Sequence, residues 1–406
     1  MPEYIQLEFA SVSKEKAEIL IAQLSNEGFE GFEEEDLLAS FFDILYIGGW
    51  YSAADKNTDK TTFSDLLFYG ASTVPDNGEE VGNILDMQDK IFHLKRNNEI
   101  KWKRPVIADG DTGYGDEKSA GVHMKRFIEA NIAGVHLEDQ VEKRCGHLGG
   151  KTLMTTRQYE KVLEGAMKMR DTMGTETLLI ARTDAEAAKY IVNDSDERDR
   201  EFIDYSKGRT DKGYYHLKEG VGLEMAINRG LATAPYADMI WFESHEPNLE
   251  QALKFAEAIH KVHPGKKLAY NLSPSFNWDA YFTKKVLGEM GLKEKDLEDL
   301  RIKEKVHAEV FKQASDFIDK LGKAGYVFQF QTYAAFRIRN LALFNYAKQF
   351  RQKGMAAWIE FERMEKEAAK HGYFGQKGQS LVGGDYWEEF GKEAIIKGST
   401  EAEQFH

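Results

Sequence analysis

The sole cysteine of this 406-residue chain, Cys145, lies in Lys143-Arg144-Cys145-Gly146-His147-Leu148-Gly149-Gly150-Lys151. Basic neighbours and an imidazole two positions away favour the thiolate, and the glycines let the backbone close over a small ligand. Cys145 is therefore a candidate acid or base; the competing reading is a buried small apolar side chain. Asp109, Asp111, Glu138 and Asp139 offer oxygen donors only, which suits a hard cation such as Mg2+, and no His/Cys zinc spacing is present. Taken singly, each carboxylate would serve as well to pair a lysine or cap a helix. Arg182 follows the apolar run Leu178-Leu179-Ile180-Ala181. There it can grip a carboxylate with two parallel hydrogen bonds, or form an ion pair with Glu243 or Asp184. In Asn271-Leu272-Ser273-Pro274-Ser275-Phe276-Asn277-Trp278, two hydroxyls and two amides surround a proline. That is a cradle for a second carboxylate, or else a turn packed on Trp278. The acidic stretch from Asp194 to Glu201 lacks the central glycine of a calcium loop and reads as a solvated face.

What must position these groups is a series of short β-rich runs: FDILYI, PVIAD, AGVHLED, TLLIARTD, DMIWFE, KLAYN and VFQFQT. They alternate with helical stretches marked by Phe127, Ala130 and Ile132, and by Leu253, Phe255, Ala256 and Ile259. Each run ends in polar or glycine residues: Gly48-Gly49-Trp50, then Asp109 and Asp111, Glu138 and Asp139, Arg182 and Asp184, Glu243, Asn271 and Ser273, and Thr332. Seven apolar strands turning polar on one side imply a shared polar face, so the expected fold is an α/β, TIM-type (β/α)8 barrel followed by C-terminal helices. An open doubly wound sheet would gather its site from fewer strands. The eighth strand is not evident. At the amino end, Tyr4-Ile5-Gln6-Leu7-Glu8-Phe9 alternates like a half-exposed strand, and Ser13, the stripe Ala17, Leu20, Ile21 and Leu24, and Gly28 outline a helix. Residues 1–41 thus read as an atypical β-α-β segment, with the first barrel strand atypical or missing.

A net charge of −14 and a pI near 5.4 argue against a nucleic-acid partner, and one cysteine rules out an intrachain disulfide. No signal segment or membrane span is evident, so a cytoplasmic location is expected. The charge does not preclude anionic substrates: distant repulsion is screened within ~8 Å, whereas a cation ~4 Å from a carboxylate contributes ~4 kcal/mol at an effective dielectric of ~20.

The motifs IGGWYSAADKN, ADGDTGYGD, VHLEDQ, KRCGHLGGK, ARTDAEAA, IWFES, AYNLSPSFNW, FQFQT and GSTEAEQFH together resemble the isocitrate lyases of the isocitrate lyase/phosphoenolpyruvate mutase superfamily, from about Phe42 to the end. The resemblance implies a barrel over 42–340 and a helical region over 341–406 exchanged between subunits of a homotetramer. It implies cleavage of isocitrate to glyoxylate and succinate in the glyoxylate bypass, with Mg2+, or Mn2+ in its place. Carried onto this chain, it puts glyoxylate near Gly48, Gly49, Trp50, Arg182 and Thr332, and the metal on Asp109 with Asp65, Asp111 and Glu138. Succinate would lie against Gly146, His147, Asn271, Ser273, Ser275 and Thr332, with Glu243 beside Arg182 and Cys145 as proton donor. Methylisocitrate lyases share the KRCGH loop but lack the NxSPSFNW cradle, which favours isocitrate. Gly48 stands where the family has serine, Leu272 where it has cysteine, and Tyr333 follows Thr332 where an apolar residue is usual. Residues 1–41 instead resemble, briefly, the start of a ribosomal protein L11 methyltransferase. A barrel left open there suggests an alternative, a catalytically impaired scaffold or fused homologue.

Overall fold

Short, largely apolar runs that end in polar or glycine residues are too short for helices and too apolar for one-sided sheets. They suit strands covered on both faces. The computed structural model describes residues 20–23, 42–56, 69–94, 102–143 and 150–371, together with 373, 375 and 384. In chain order its strands are β1 (Leu20–Gln23), β2 (Ile44–Ile47), β3 (Val106–Asp109), β4 (Gly134–Glu138), β5 (Thr152–Leu153), β6 (Leu178–Thr183), β7 (Tyr190–Ile191), β8 (Tyr215–His216), β9 (Met239–Phe242), β10 (Lys267–Asn271) and β11 (Tyr326–Gln331). Eight of them close a barrel in the order β1-β11-β10-β9-β6-β4-β3-β2, every neighbouring pair parallel. All seven expected runs are barrel strands, and every residue of β2, β3, β4 and β9 is buried.

The eighth strand corrects the reading of the amino end. Leu20 and Ile21, expected on a helical stripe, belong to β1, which pairs Leu20–Gln23 with Phe328–Gln331 on one side and Ala22–Gln23 with Ile44–Leu45 on the other. Without it, β2 and β11 would each present a row of unpaired backbone groups. Pairing four residues with β11 and two with β2 joins both edges, a tertiary demand that outweighs local helical periodicity. The residues 4–9, Ser13 and Gly28 lie outside the described residues.

Inside the barrel, aromatic rings fill the layer beneath the polar mouth. Tyr46 lies 4.5 Å from Phe330, and Trp241 lies 4.5 Å from His136 and 4.8 Å from Phe330, centroid to centroid. The outer helices begin at capped ends. Thr155 and Gln158 form a capping box for helix Thr156–Thr172, and Asp116 caps helix Glu117–Glu129. These two helices approach so closely that a β-carbon on Gly165 would collide with the carbonyl oxygen of Glu117. Helix Leu249–Val262 buries Ala252, Phe255, Ala256 and Ile259 as a stripe, while Leu253, expected within it, is 39% exposed. At 3.6 residues per turn, position 253 turns off the face that 252, 256 and 259 share.

Between β4 and the helix Gly222–Thr233, a small sheet of β5, β7 and β8 flanks the barrel mouth. Here the acidic stretch from Asp194 to Glu201 departs from its expected solvated role. Asp196 and Asp199 are buried. Asp199 accepts both the backbone N–H and the hydroxyl of Thr156 at 2.7 Å, and Arg229 lies against it at 3.3 Å. A buried carboxylate is tolerated only with such donors around it.

Candidate active site

The polar ends of β2, β3, β6, β9, β10 and β11 surround one cavity of about 340 Å3, lined by Gly48, Gly49, Trp50, Asp109, Lys143, Arg182, Glu243, Asn271, Ser273, Ser275, Thr332 and Tyr333. Its floor includes Tyr46, from the aromatic layer.

Arg182 stands at the end of β6 with its guanidinium fixed from below and behind. Its face lies 4.5 Å over the Trp241 ring, and Asp184 accepts from Nε at 2.8 Å and from Nη2 at 3.0 Å. Glu138 and Glu243 lie further off, at 3.5 and 3.6 Å. Asp184 also accepts from the Lys151 ammonium, and its own N–H is held by Asp139 at 2.8 Å. Burial opposes charge on Asp184, yet Arg182 and Lys151 hold its carboxyl well below the usual range. Burial raises Glu138 well above that range and raises Glu243, despite the Arg182 charge. Trp241 Nε1 donates to Glu243 at 2.9 Å, fixing the carboxyl that faces the guanidinium. Arg182 therefore stays charged, beside two carboxyls that burial makes harder to ionise.

Across the mouth, Asp109 accepts from the Gly49 N–H at 2.9 Å, from the Asp111 N–H at 2.9 Å and from Lys143 Nζ at 2.9 Å. The same ammonium bonds Asp111, which also takes the hydroxyls of Tyr69 at 2.7 Å and Tyr114 at 3.0 Å. Burial would raise Asp109, but Lys143, with His136 and Arg182 behind it, brings its carboxyl well below the usual range. A β-carbon on Gly49 would come within 2.9 Å of Lys143 Nζ and 3.0 Å of Asp109 Oδ2, so glycine is what lets the backbone amide reach that carboxylate.

A model of the isocitrate lyase family matches residues 34–206, 202–289 and 304–403. The chain belongs to the isocitrate lyase family. An isocitrate lyase of Halalkalibacterium halodurans is 38% identical over 371 residues, covering 89% of this chain and 80% of that one. One from Corynebacterium efficiens is 36% identical over 416 residues, covering 98% and 89% respectively. Among solved structures, a phosphoenolpyruvate phosphomutase from Streptomyces platensis subsp. rosaceus superposes with a TM-score of 0.56 at 18% identity, covering 93% of this chain and 94% of that one; it attests the fold.

In this isocitrate lyase family member, the structure gathers Gly48, Gly49, Trp50, Asp109, Arg182, Glu243, Asn271, Ser273, Ser275 and Thr332 around a single cavity. Asp111 and Glu138 sit just behind it, fully buried. Asp139, counted among the oxygen donors, points elsewhere: it bonds Thr183, the Asp184 N–H and Arg229. Asp65, Cys145, Gly146 and His147 lie outside the described residues. In the Asn271–Trp278 segment, Trp278 Nε1 donates to the Ser273 carbonyl at 2.8 Å, as a turn packed on Trp278 requires, and Ser273 and Ser275 line the cavity.

Among the described residues no three His, Cys, Asp or Glu side chains are grouped as a metal site. The chemistry of the donors nevertheless fits a hard cation. Asp109 and Asp111 are buried oxygen donors already bridged by a cation, the Lys143 ammonium, and Glu138 Oε2 is buried without a hydrogen-bond partner.

Sequence reading missed the supporting groups. Lys143 and Lys151 were visible only as basic members of the cysteine loop, and Tyr69, Trp241 and Arg229 carried no local signal. Arg229 comes from helix Gly222–Thr233, ninety positions from the Asp139 it bonds at 3.1 Å. Periodicity marks it as an inward position of that helix and says nothing of what it meets.

Proposed function

We propose that this cavity binds isocitrate and cleaves it to glyoxylate and succinate. The observation that carries the reading is one small cavity lined by a fixed, charged Arg182 on β6, by Asn271, Ser273 and Ser275 at the end of β10, and by Asp109 on β3, which the closed strand order sets opposite β10. A cationic group, a set of hydroxyl and amide donors and an acidic edge around one cavity are what a tricarboxylate with a 2-hydroxyl requires.

Arg182, Gly48, Gly49, Trp50 and Thr332 hold the glyoxylate portion, with Glu243 orienting Arg182. Asn271, Ser273, Ser275 and Thr332 hold the succinate portion with Gly146 and His147. Asn271 lines the cavity, and its Nδ2 would be the atom that donates to a carboxylate there, since the amide oxygen only accepts. Asp109, with Asp111, Glu138 and Asp65, would hold Mg2+ or Mn2+, which supplies Lewis-acid polarisation of the hydroxyl that becomes the aldehyde. Lys143 must leave Asp109 and Asp111 for that arrangement. Once the hydroxyl has given its proton to solvent, the oxygen lone pair forms the aldehyde carbonyl as the carbon–carbon bond breaks; the bonding pair moves onto the succinate fragment, where preorganised hydroxyl and amide donors would stabilise it, and Cys145 gives the proton that completes succinate.

We also propose a cytoplasmic homotetramer, with the barrel over 42–340 and exchanged helices over 341–406. Helices Ala334–Lys353 and Met355–Ala369 support this: Ile338, Leu341, Phe344, Met355 and Met364 are each more than 60% exposed, more apolar surface than one chain keeps in water. No described helix is long and apolar enough to cross a membrane.

The test is to incubate the purified protein with isocitrate and Mg2+ and measure glyoxylate and succinate, with and without chelator. Equal amounts of both products, lost with chelator and restored by Mg2+, are expected. A folded protein that binds isocitrate without forming glyoxylate would favour the scaffold alternative, whose premise of an open barrel edge the closed sheet removes.

A further inference from the structure

Tyr333 is one of four described non-glycine residues with positive φ, at 39° with ψ 26°, immediately before helix Ala334–Lys353. A bulky side chain adopts that conformation only where its surroundings enforce it, and such strain gathers at binding sites. Here it makes no helix cap: the side chain forms no capping hydrogen bond. Instead the residue lines the cavity, its ring lies 5.5 Å from that of Trp50, and its hydroxyl bonds the hydroxyl of Ser275. One side chain thus spans the mouth from the Trp50 end to the serine cradle.

We propose that Tyr333 is a specificity-determining residue of this site: its hydroxyl, presented with that of Ser275, hydrogen-bonds the carboxylate seated in the cradle, and its ring beside Trp50 excludes a substrate carrying an extra alkyl group on the hydroxyl-bearing carbon. The inference rests on the isocitrate reading above for which end of the cavity is which. A phenol adds a donor that an aliphatic side chain lacks, and a hydrogen bond to a charged partner is among the stronger kinds. A single methyl group is discriminated by shape alone by roughly 10- to 200-fold.

Calorimetric titration with succinate and, separately, with glyoxylate tests the hydroxyl. Tyr333→Phe keeps the ring and is expected to weaken succinate binding about tenfold while leaving glyoxylate binding unchanged, which also reports intact folding. Tyr333→Leu tests the ring, with kcat/KM for 2-methylisocitrate relative to isocitrate expected to rise about tenfold. Succinate affinity within twofold of wild type in Tyr333→Phe overturns the proposal, as does an equal loss for both ligands, which marks a structural latch. Succinate binding is read without turnover. A protein that failed to cleave isocitrate but showed the Tyr333→Phe effect would refute the reaction and leave the role of Tyr333 standing.

Discussion

Replacing Asp184 with asparagine removes one negative charge from beneath Arg182 without changing the shape of the side chain. In the wild type, Asp184 accepts from Arg182 at 2.8 and 3.0 Å and from Lys151, and all three groups are buried. An asparagine keeps one acceptor and turns an NH2 toward a cation. Removing one partner of a buried ion pair costs about 3–5 kcal/mol, against a total stability of about 5–15 kcal/mol, so the variant should fold but unfold at lower urea. Among the described carboxylates Arg182 then keeps Glu138 and Glu243, at 3.5 and 3.6 Å, and its guanidinium shifts toward them. A displacement on the order of 1 Å in a positioning group reduces rate by about 100-fold. The sign with pH follows from the depressed Asp184 carboxyl. Its contribution is complete above the ordinary aspartate pKa of about 4 and is lost as pH falls toward the lower folded value, so the stability difference between wild type and variant should shrink steadily below about pH 4. Urea melts between pH 3 and 8 and glyoxylate formation at neutral pH measure both quantities. A variant with kcat/KM within threefold of wild type and stability within about 1 kcal/mol would refute the claim that Asp184 holds Arg182 in place.

His123 is buried against Tyr114 and Phe127, and neither ring nitrogen has a hydrogen-bond partner; burial lowers its pKa from 6.5 to about 4. The unfolded chain therefore binds a proton between those values before the native state does, and at about 1.36 kcal/mol per pKa unit up to about 3 kcal/mol of stability disappears as pH falls through that window. His123→Phe should lose less stability on going from pH 7 to pH 4.5, as denaturant melts at the two pH values will reveal; an unchanged pH dependence would contradict the assignment. Cys145→Ser should abolish cleavage while isocitrate still binds, measured by titration beside a product assay, and near-normal turnover would remove Cys145 from the reaction.

The barrel was largely legible along the chain. Seven runs such as Val106–Asp109 and Met239–Phe242 are apolar enough to be buried on both faces and short enough to be strands, and parallel strands put all their carboxyl ends on one side. That is why Asp109, Arg182, Glu243, Asn271 and Thr332 could be grouped before any coordinates. The eighth strand was not legible. Leu20-Ile21-Ala22-Gln23 has too few residues to show a period, and its conformation is set by the vacant edges of β2 and β11 rather than by its own side chains.

Residue type and strand-end position were enough, by themselves, to say which groups share a face, because the period of a strand and the direction of a βα unit are local properties of the chain. Which of those groups touch was decided by packing. Asp139 and Glu138 are adjacent in sequence, yet alternation across β4 and its end sends one to Arg229 outside the barrel wall and leaves the other beside Arg182. Lys143 bridges Asp109 and Asp111, and Tyr333 meets Ser275, across separations of 34, 32 and 58 residues. Contacts of that kind depend on how far each strand is staggered against its neighbour when the sheet closes, a global constraint that no window of sequence contains.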